Sequence, residues 1–382
     1  MAVPSKVIEA DVCVVGAGML GLAHALEARR RGLSVVVIER EQHAVGASVR
    51  NFGHLFFSGL GDGDNFDCAL RSRERWLELG RTTALEVKET GSLVVARADD
   101  ELAVLEAVAY DPAREAAMLT TTQVTELAPI AEAGIVGGLH CALDLRVDPR
   151  AAVAALADSL ASDSDGRVEW GRQVHEIEPG RVEAGGLSVN APAIVVCPGP
   201  DYRALPPAVR PGLEQLTLCR LQMLRVAAPL GRHFRPALVT GLSMIRYPAF
   251  AQRPEALALR ERLTRERPEL LEAGIHLLIA QLPDGDLVIG DTHSYGETPA
   301  PFGEERLDEL LLAEACALLG VPKLEVRQRW HGIYPSMAGS PFLVTAPLPG
   351  VRVVENVAGL GMTLSLGFAP QVLDELLATA AV

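Results

Sequence analysis

Four apolar residues, Val12 to Val15, open the first regular segment of the chain. The run is too short for a helix and suits a strand buried on both faces. A stretch with helical periodicity, rich in alanine and arginine, follows to Arg31; Gly32 stops it, and residues 34–38 make a second apolar strand. Two later runs have the same character, 193–197, closed by Pro198-Gly199-Pro200, and 351–357. Other predicted strands alternate or are longer: 92–96, several short ones within 168–189, 216–227, 244–247 and 323–333. Residues 275–282 and 286–290 flank the turn Pro283-Asp284-Gly285 and read as a hairpin. Helical patterns cover 66–87, 99–117, a segment opening at Pro149, 256–271, 304–319 and the end of the chain to about Ala378. Residues 40–65 and 359–367 have no periodicity and are expected to be loops. A chain that leaves a buried-strand sheet and returns to it later implies interleaved domains. The expected division is 1–90, 149–205 and 335–382 in one domain, with 91–148 and 206–334 in the other.

The first strand–helix–strand unit carries candidate chemistry. Gly16, Gly18 and Gly21 stand at G-x-G-x-x-G spacing between strand and helix, and Glu39 ends the second strand. Gly16 permits a tight turn, Gly18 lets a pyrophosphate approach the backbone, and Gly21 lets helix and strand pack closely. The helix N-terminus then faces phosphates, and the Glu39 carboxylate can accept hydrogen bonds from a ribose. The unit specifies a dinucleotide without deciding between NAD and FAD.

Charge and cysteine usage narrow the partners. The 382 residues carry a formal net charge of −14, which argues against nucleic acid and anionic membrane. Six cysteines lie far apart without a C-x-x-C pair, so neither a disulfide framework nor a metal site is expected. No signal-peptide pattern or 18-residue apolar run is legible, and a cytoplasmic protein is expected.

Several separated motifs occur in one order: Glu39-Arg40, GASVR at 46–50, VVCPG at 195–199, VIGDT at 288–292, WHGIYP at 330–335 and ENVAGLGMTLSLG at 355–367. In that order the chain resembles the flavoprotein family of D-amino-acid oxidase, glycine oxidase and sarcosine oxidase. GASVRNFGH at 46–54 looks most like a bacterial subgroup linked to aminophosphonates or related amines. The resemblance implies an α/β fold: a Rossmann-like FAD-binding domain interleaved with an α+β substrate domain on a mixed, largely antiparallel sheet. It also implies FAD rather than NAD. Gly16, Gly18, Met19, Leu20 and Gly21, with Glu39 and Arg40, would hold its adenosine diphosphate end. Ala47, Ser48, Arg50, Asn51 and Gly53 would lie along its middle, with a solvated loop position as the alternative for Arg50. Gly199 would meet it from the second strand turn, and Gly359, Gly361, Met362, Thr363 and Leu364 would face the flavin.

One motif departs from the family. Amino-acid-oxidising relatives have G-x-R-P where this chain has Gly332-Ile333-Tyr334-Pro335, and their arginine pairs with the substrate carboxylate. Tyrosine offers one hydroxyl in place of a bidentate fork. Another cation must anchor the substrate acid, or the substrate lacks a carboxylate. Arg246 and Tyr247 fall where relatives place active-site residues on the substrate sheet, and Arg246 is the replacement anchor, with a surface position as its alternative. His54, His293 and His331 are candidates for binding an anion or moving a proton, or are packed or surface residues.

The expected reaction is oxidation of a C–N bond in a small amine, an aminophosphonate or N-methylated aminophosphonate among them. A hydride passes to flavin N5, water hydrolyses the imine, and oxygen or an electron carrier takes the electrons. From the neutral amine no catalytic base is required of the protein, because the lone pair of a deprotonated amine assists hydride departure. The alternatives are a glycine-, sarcosine- or D-amino-acid-type oxidase, an FAD enzyme acting on a C–O bond, or an NAD(P)-dependent dehydrogenase.

Overall fold

The computed structural model describes residues 6–380. The apolar runs assemble into a six-stranded sheet in the order Phe342–Thr345, Val351–Asn356, Ala193–Val196, Val12–Val15, Val35–Ile38 and Gly166–Glu169. All pairings are parallel except that of Phe342–Thr345 with Val351–Asn356. Helices Met19–Arg30, Asp64–Thr82, Pro149–Ser162 and Gly361–Ala380 supply side chains to the core on one face of this sheet. On the other face Cys13, Val36, Ile38 and Val196 pack with Val174, Ile177, Val182 and Leu187, so the strands are apolar on both faces. The strand order reverses beside Val12–Val15, so the crevice between the ends of Val12–Val15 and Ala193–Val196 is the ligand position expected of such a sheet.

A second, nine-stranded sheet is mixed and largely antiparallel; within it only Ala237–Val239 and Ser92–Ala96 pair in parallel. Its longest members, Thr217–Ala227 and Glu325–Ser336, pair along nearly their whole length, placing Cys219 opposite Tyr334 and Gln222 opposite His331. Residues 174–190 form three strands of a small sheet completed by Lys6–Glu9.

Several expected elements are corrected. Residues 244–247 are not a strand: helix Gly241–Met244 leads through a turn into helix Pro248–Ala251. The helix expected over 99–117 ends at Ala109; Pro112 and a left-handed Glu115 intervene before strand Ala116–Leu119. Pro268 divides 256–271 into Ala256–Glu266 and Pro268–Glu272. The glycine-rich stretch 359–367 is a loop only to Leu360, and the final helix starts at Gly361. Gly367 lies inside that helix because it crosses Asp64–Thr82 backbone to backbone: a Cβ at Gly367 would come within 2.1 Å of the Cys68 carbonyl oxygen. Residues 40–65 contain short 3-10 turns and a strand, His54–Leu55, paired with Leu145–Arg146.

Candidate active site

One continuous cavity runs from the glycine turn of the parallel sheet to the inner face of the large sheet. At the first end, Gly16 adopts φ +103° and a Cβ there would sit 2.4 Å from the Cys197 carbonyl oxygen, so the two strand ends meet only with glycine. Gly21 packs against the Gly16 carbonyl, where a Cβ would come within 1.9 Å. The Glu39 carboxylate accepts from the amides of Ala17 at 2.8 Å and Glu41 at 3.0 Å, fixing the loop beside it. Ser48 Oγ accepts from the Met19 amide at 2.9 Å, which leaves the first-turn amides of Leu20 and Gly21 without an intrahelical acceptor. Arg40 pairs with Asp201 at the rim.

Toward the other end, the N-terminus of helix Gly361–Ala380 opens onto the same cavity through Gly361, Met362 and Thr363. Asn356 ties down the entry to this helix, its side-chain oxygen accepting from the Leu360 amide at 2.8 Å. The Tyr334 ring covers Gly359, which has φ +70° and whose Cβ would lie 3.0 Å from Tyr334 Cζ. Two helix N-termini thus face one cavity, and each favours negative charge. Glu355, almost fully buried, lines the wall between them with Oε1 unpartnered among the described residues, and burial holds its carboxyl well above the usual range.

The inner face of the large sheet closes the cavity with a polar cluster. Arg246 lines it, exposed, and donates to the Tyr295 hydroxyl at 3.3 Å; no carboxylate lies within 4.0 Å of it among the described residues. The Tyr247 ring stands edge-on to Phe56 and His276, at 4.7 and 5.6 Å between centroids. His276 and His293 stack at 4.7 Å, and His276 Nε2 lies 3.1 Å from Asp291 Oδ1. Burial drives the His276 imidazole well below its ordinary pKa and that of His293 to about 3, with the Arg246 charge adding to both effects. Burial raises the Asp291 carboxyl to about 7, against the opposing pull of Arg246. Burial likewise lowers His54 to about 3, and its Nε2 has no partner among the described residues.

Comparison with known proteins decides the family. The model of the DAO family, described as FAD dependent oxidoreductase, matches residues 11–374. The chain belongs to the DAO family of FAD-dependent oxidoreductases. A gamma-glutamylputrescine oxidoreductase of Escherichia coli (strain K12) is 36% identical over 113 residues, covering 26% of either chain. The alignment therefore spans only about a quarter of that curated relative. Glycine oxidase from Geobacillus kaustophilus has the same fold, with a TM-score of 0.74 at 21% identity over 97% of this chain and 95% of that one. L-alpha-glycerophosphate oxidase from Mycoplasma pneumoniae, solved with FAD bound, gives 0.73 at 17% identity, covering 97% and 95%.

As a member of the DAO family the chain takes FAD, not NAD, and the cavity suits it. Two open helix N-termini, a glycine cradle at Gly16 to Gly21 and the orphaned Glu355 oxygen match the needs of a long, phosphate-bearing ligand with ribityl hydroxyls. Of the expected cofactor residues, Gly16, Gly18, Met19, Leu20, Gly21, Glu39, Arg40, Ala47, Ser48, Arg50, Asn51, Gly199, Gly359, Gly361, Met362 and Thr363 line the cavity. Two do not. Gly53 packs on the Val147 carbonyl, and Leu364, one residue along the helix from Thr363, turns into the core. Asn51 also has a local task, its amide bonding the carbonyls of Ala47 and Ser48.

Among the substrate candidates, His54, Arg246, Tyr247, His293 and Tyr334 line the cavity and His331 does not. His331 Nε2 lies 2.7 Å from the Arg220 guanidinium on the opposite face of the sheet. Tyr334 is three residues further along the same strand, and side chains three apart in a strand point to opposite faces. Sequence reasoning missed His276, Asp291 and Glu355. Asp291 was within reach: it stands two residues before His293, so an extended chain puts both on one face. His276 gave no local signal, because only the antiparallel pairing of Leu278–Gln281 with Leu287–Gly290 brings it to Asp291.

Proposed function

We propose that this protein oxidises the C–N bond of a small amine that also carries an anionic group, with an aminophosphonate or N-methylated aminophosphonate as the preferred class. The carrying observation is Arg246, a cavity-lining guanidinium without an acidic partner among the described residues, beside a tyrosine at the family's arginine position. An arginine left without a carboxylate is free to bind the substrate's anion, and a tetrahedral phosphonate accepts from it as readily as a planar carboxylate does. Tyr334, buried beside it, contributes a hydroxyl rather than a second charge. Burial keeps that hydroxyl protonated, well above its ordinary pKa, so it donates to the bound anion.

FAD, when bound, supplies the two-electron acceptor. The protein's part is to fix the amine-bearing carbon and exclude water. Phe52, Phe56, Leu221, Met223 and Leu278 provide the apolar walls, while Arg246 sets the orientation from the anionic end. The family also supports amino-acid substrates, and a C–O substrate asks the same positioning of these residues.

The test is anaerobic flavin bleaching across glycine, sarcosine, D-alanine, 2-aminoethylphosphonate and its N-methyl and 1-hydroxy forms. Bleaching is expected from the phosphonates, with glycine and D-alanine slow. Rapid bleaching by glycine or D-alanine, with none by a phosphonate, would overturn the substrate class.

A further inference from the structure

We propose that Asp291, beside His276, is the acid–base residue that binds the substrate ammonium and removes its proton. The inference deepens the amine reading above and rests on it. Asp291 is 5% exposed, lines the cavity, and keeps Oδ1 unpartnered among the described residues: His276 Nε2 lies 3.1 Å away but out of hydrogen-bond alignment. A buried carboxylate oxygen without a partner is costly unless a ligand completes it. A substrate carrying both an ammonium and an anion finds both complements here, since Asp291 and Arg246 line the same end of the cavity.

The surroundings select this carboxylate for proton transfer. Arg246 and Tyr247 face it from the turn between helices Gly241–Met244 and Pro248–Ala251. Cys219 faces it from the long strand, with Tyr334 paired opposite Cys219, while His276 and His293 complete the ring. Both imidazoles are held neutral by burial, so neither competes for the proton near neutral pH. Burial raises Asp291 to about 7, within the working range of a general base. His293 Nδ1 bonds the Gly274 carbonyl at 2.9 Å, and His276 Nδ1 lies 3.4 Å from Ser243 Oγ, so both rings are fixed from behind.

The step balances simply. An N–H bond of the ammonium breaks, its electron pair stays on nitrogen, and the proton forms an O–H bond on Asp291. The free lone pair is what carbon-bound hydride departure requires. A metal is the other ligand to which two histidines and an aspartate are suited, and their donor atoms lie within 4.8 Å of one another. Ring geometry argues against it. The two imidazoles stack at 28°, so their in-plane lone pairs run side by side rather than converging on one ion, and Arg246 adds positive charge.

The experiment compares wild type, Asp291→Asn and Asp291→Glu as holoenzymes, each with its flavin spectrum and melting midpoint checked first. Anaerobic bleaching by N-methyl-2-aminoethylphosphonate is followed by stopped flow from pH 5.5 to 9.5. Asp291→Asn should slow bleaching at pH 7 by about 100-fold and move the rising limb toward the pKa of the free amine, while Asp291→Glu recovers most of the rate. An unchanged pH profile in Asp291→Asn would overturn the proposal. Infrared difference spectra of the substrate-free holoenzyme between pH 5 and 9 form the second arm. Beyond the contribution of the buried Asp144, raised to about 6, wild type should show a carboxylic C=O band that titrates near neutral pH and is missing from Asp291→Asn; no difference between the two spectra also overturns the proposal. If the band titrates but no amine bleaches the flavin, the amine reading falls while Asp291 keeps its assigned protonation.

Discussion

Arg246 and His331 show how much a single side chain's placement depends on backbone period. Both are legible as candidates, yet strand alternation turns His331 away from the cavity, and a helical turn in place of the expected strand lets Arg246 and Tyr247 line it together. Replacing Arg246 by Gln should raise KM for an anionic amine by about 10- to 100-fold, with a smaller change in kcat, as expected for a lost charge-assisted hydrogen bond. Steady-state kinetics on the best amine of the panel checks this. Asp291 also carries a stability signature. Its folded pKa, about 7, exceeds the usual carboxylate value of 3.8, so its contribution is fully present below pH 3.8 and lost as pH rises through 7. Asp291→Asn lacks that loss. The melting midpoint of the variant relative to wild type should therefore climb as pH rises from about 4 to about 7, measured by calorimetry. No climb would mean Asp291 ionises without strain.

At the level of elements, close backbone approach decides what periodicity leaves ambiguous. The glycines of 359–367 look like loop residues because glycine disfavours helices. Gly367 instead lets the final helix touch Asp64–Thr82, where the Trp76 indole also donates to the Met362 carbonyl at 3.0 Å. Gly367→Ala should destabilise the protein by about 1–3 kcal/mol, since its Cβ would strike backbone atoms that cannot swing aside. Gly46→Ala is the control, because a Cβ there meets nothing within 4 Å. Urea unfolding of the flavin-free proteins should separate the two; equal midpoints would show that the helices part without cost.

Across the whole molecule, the cavity joins segments distant in sequence: the first strand–helix–strand unit, Gly199, the large sheet and the start of the last helix. A ligand that binds only when these are assembled stabilises the fold by mass action, about 2.7 kcal/mol at a hundredfold excess over Kd. Adding FAD to flavin-free protein should raise its melting midpoint in a concentration-dependent way. A midpoint independent of FAD would contradict the placement of the cofactor in this cavity. Among the described residues no helix is long and apolar enough to cross a membrane.

The sequence alone determined the parallel sheet and its dinucleotide turn. Buried strands need continuous apolar runs, and close approaches at Gly16 and Gly21 admit only glycine, so these local demands are written in adjacent residues. Ordered motifs at both ends extended that turn to FAD. Tertiary structure decided the substrate end. Asp291, His276 and Arg246 come from separate segments, and their meeting depends on strand pairing, on a turn before Pro248, and on burial that shifts the protonation of Asp291 and His276. Those are properties of packing, and no local pattern of residues encodes them.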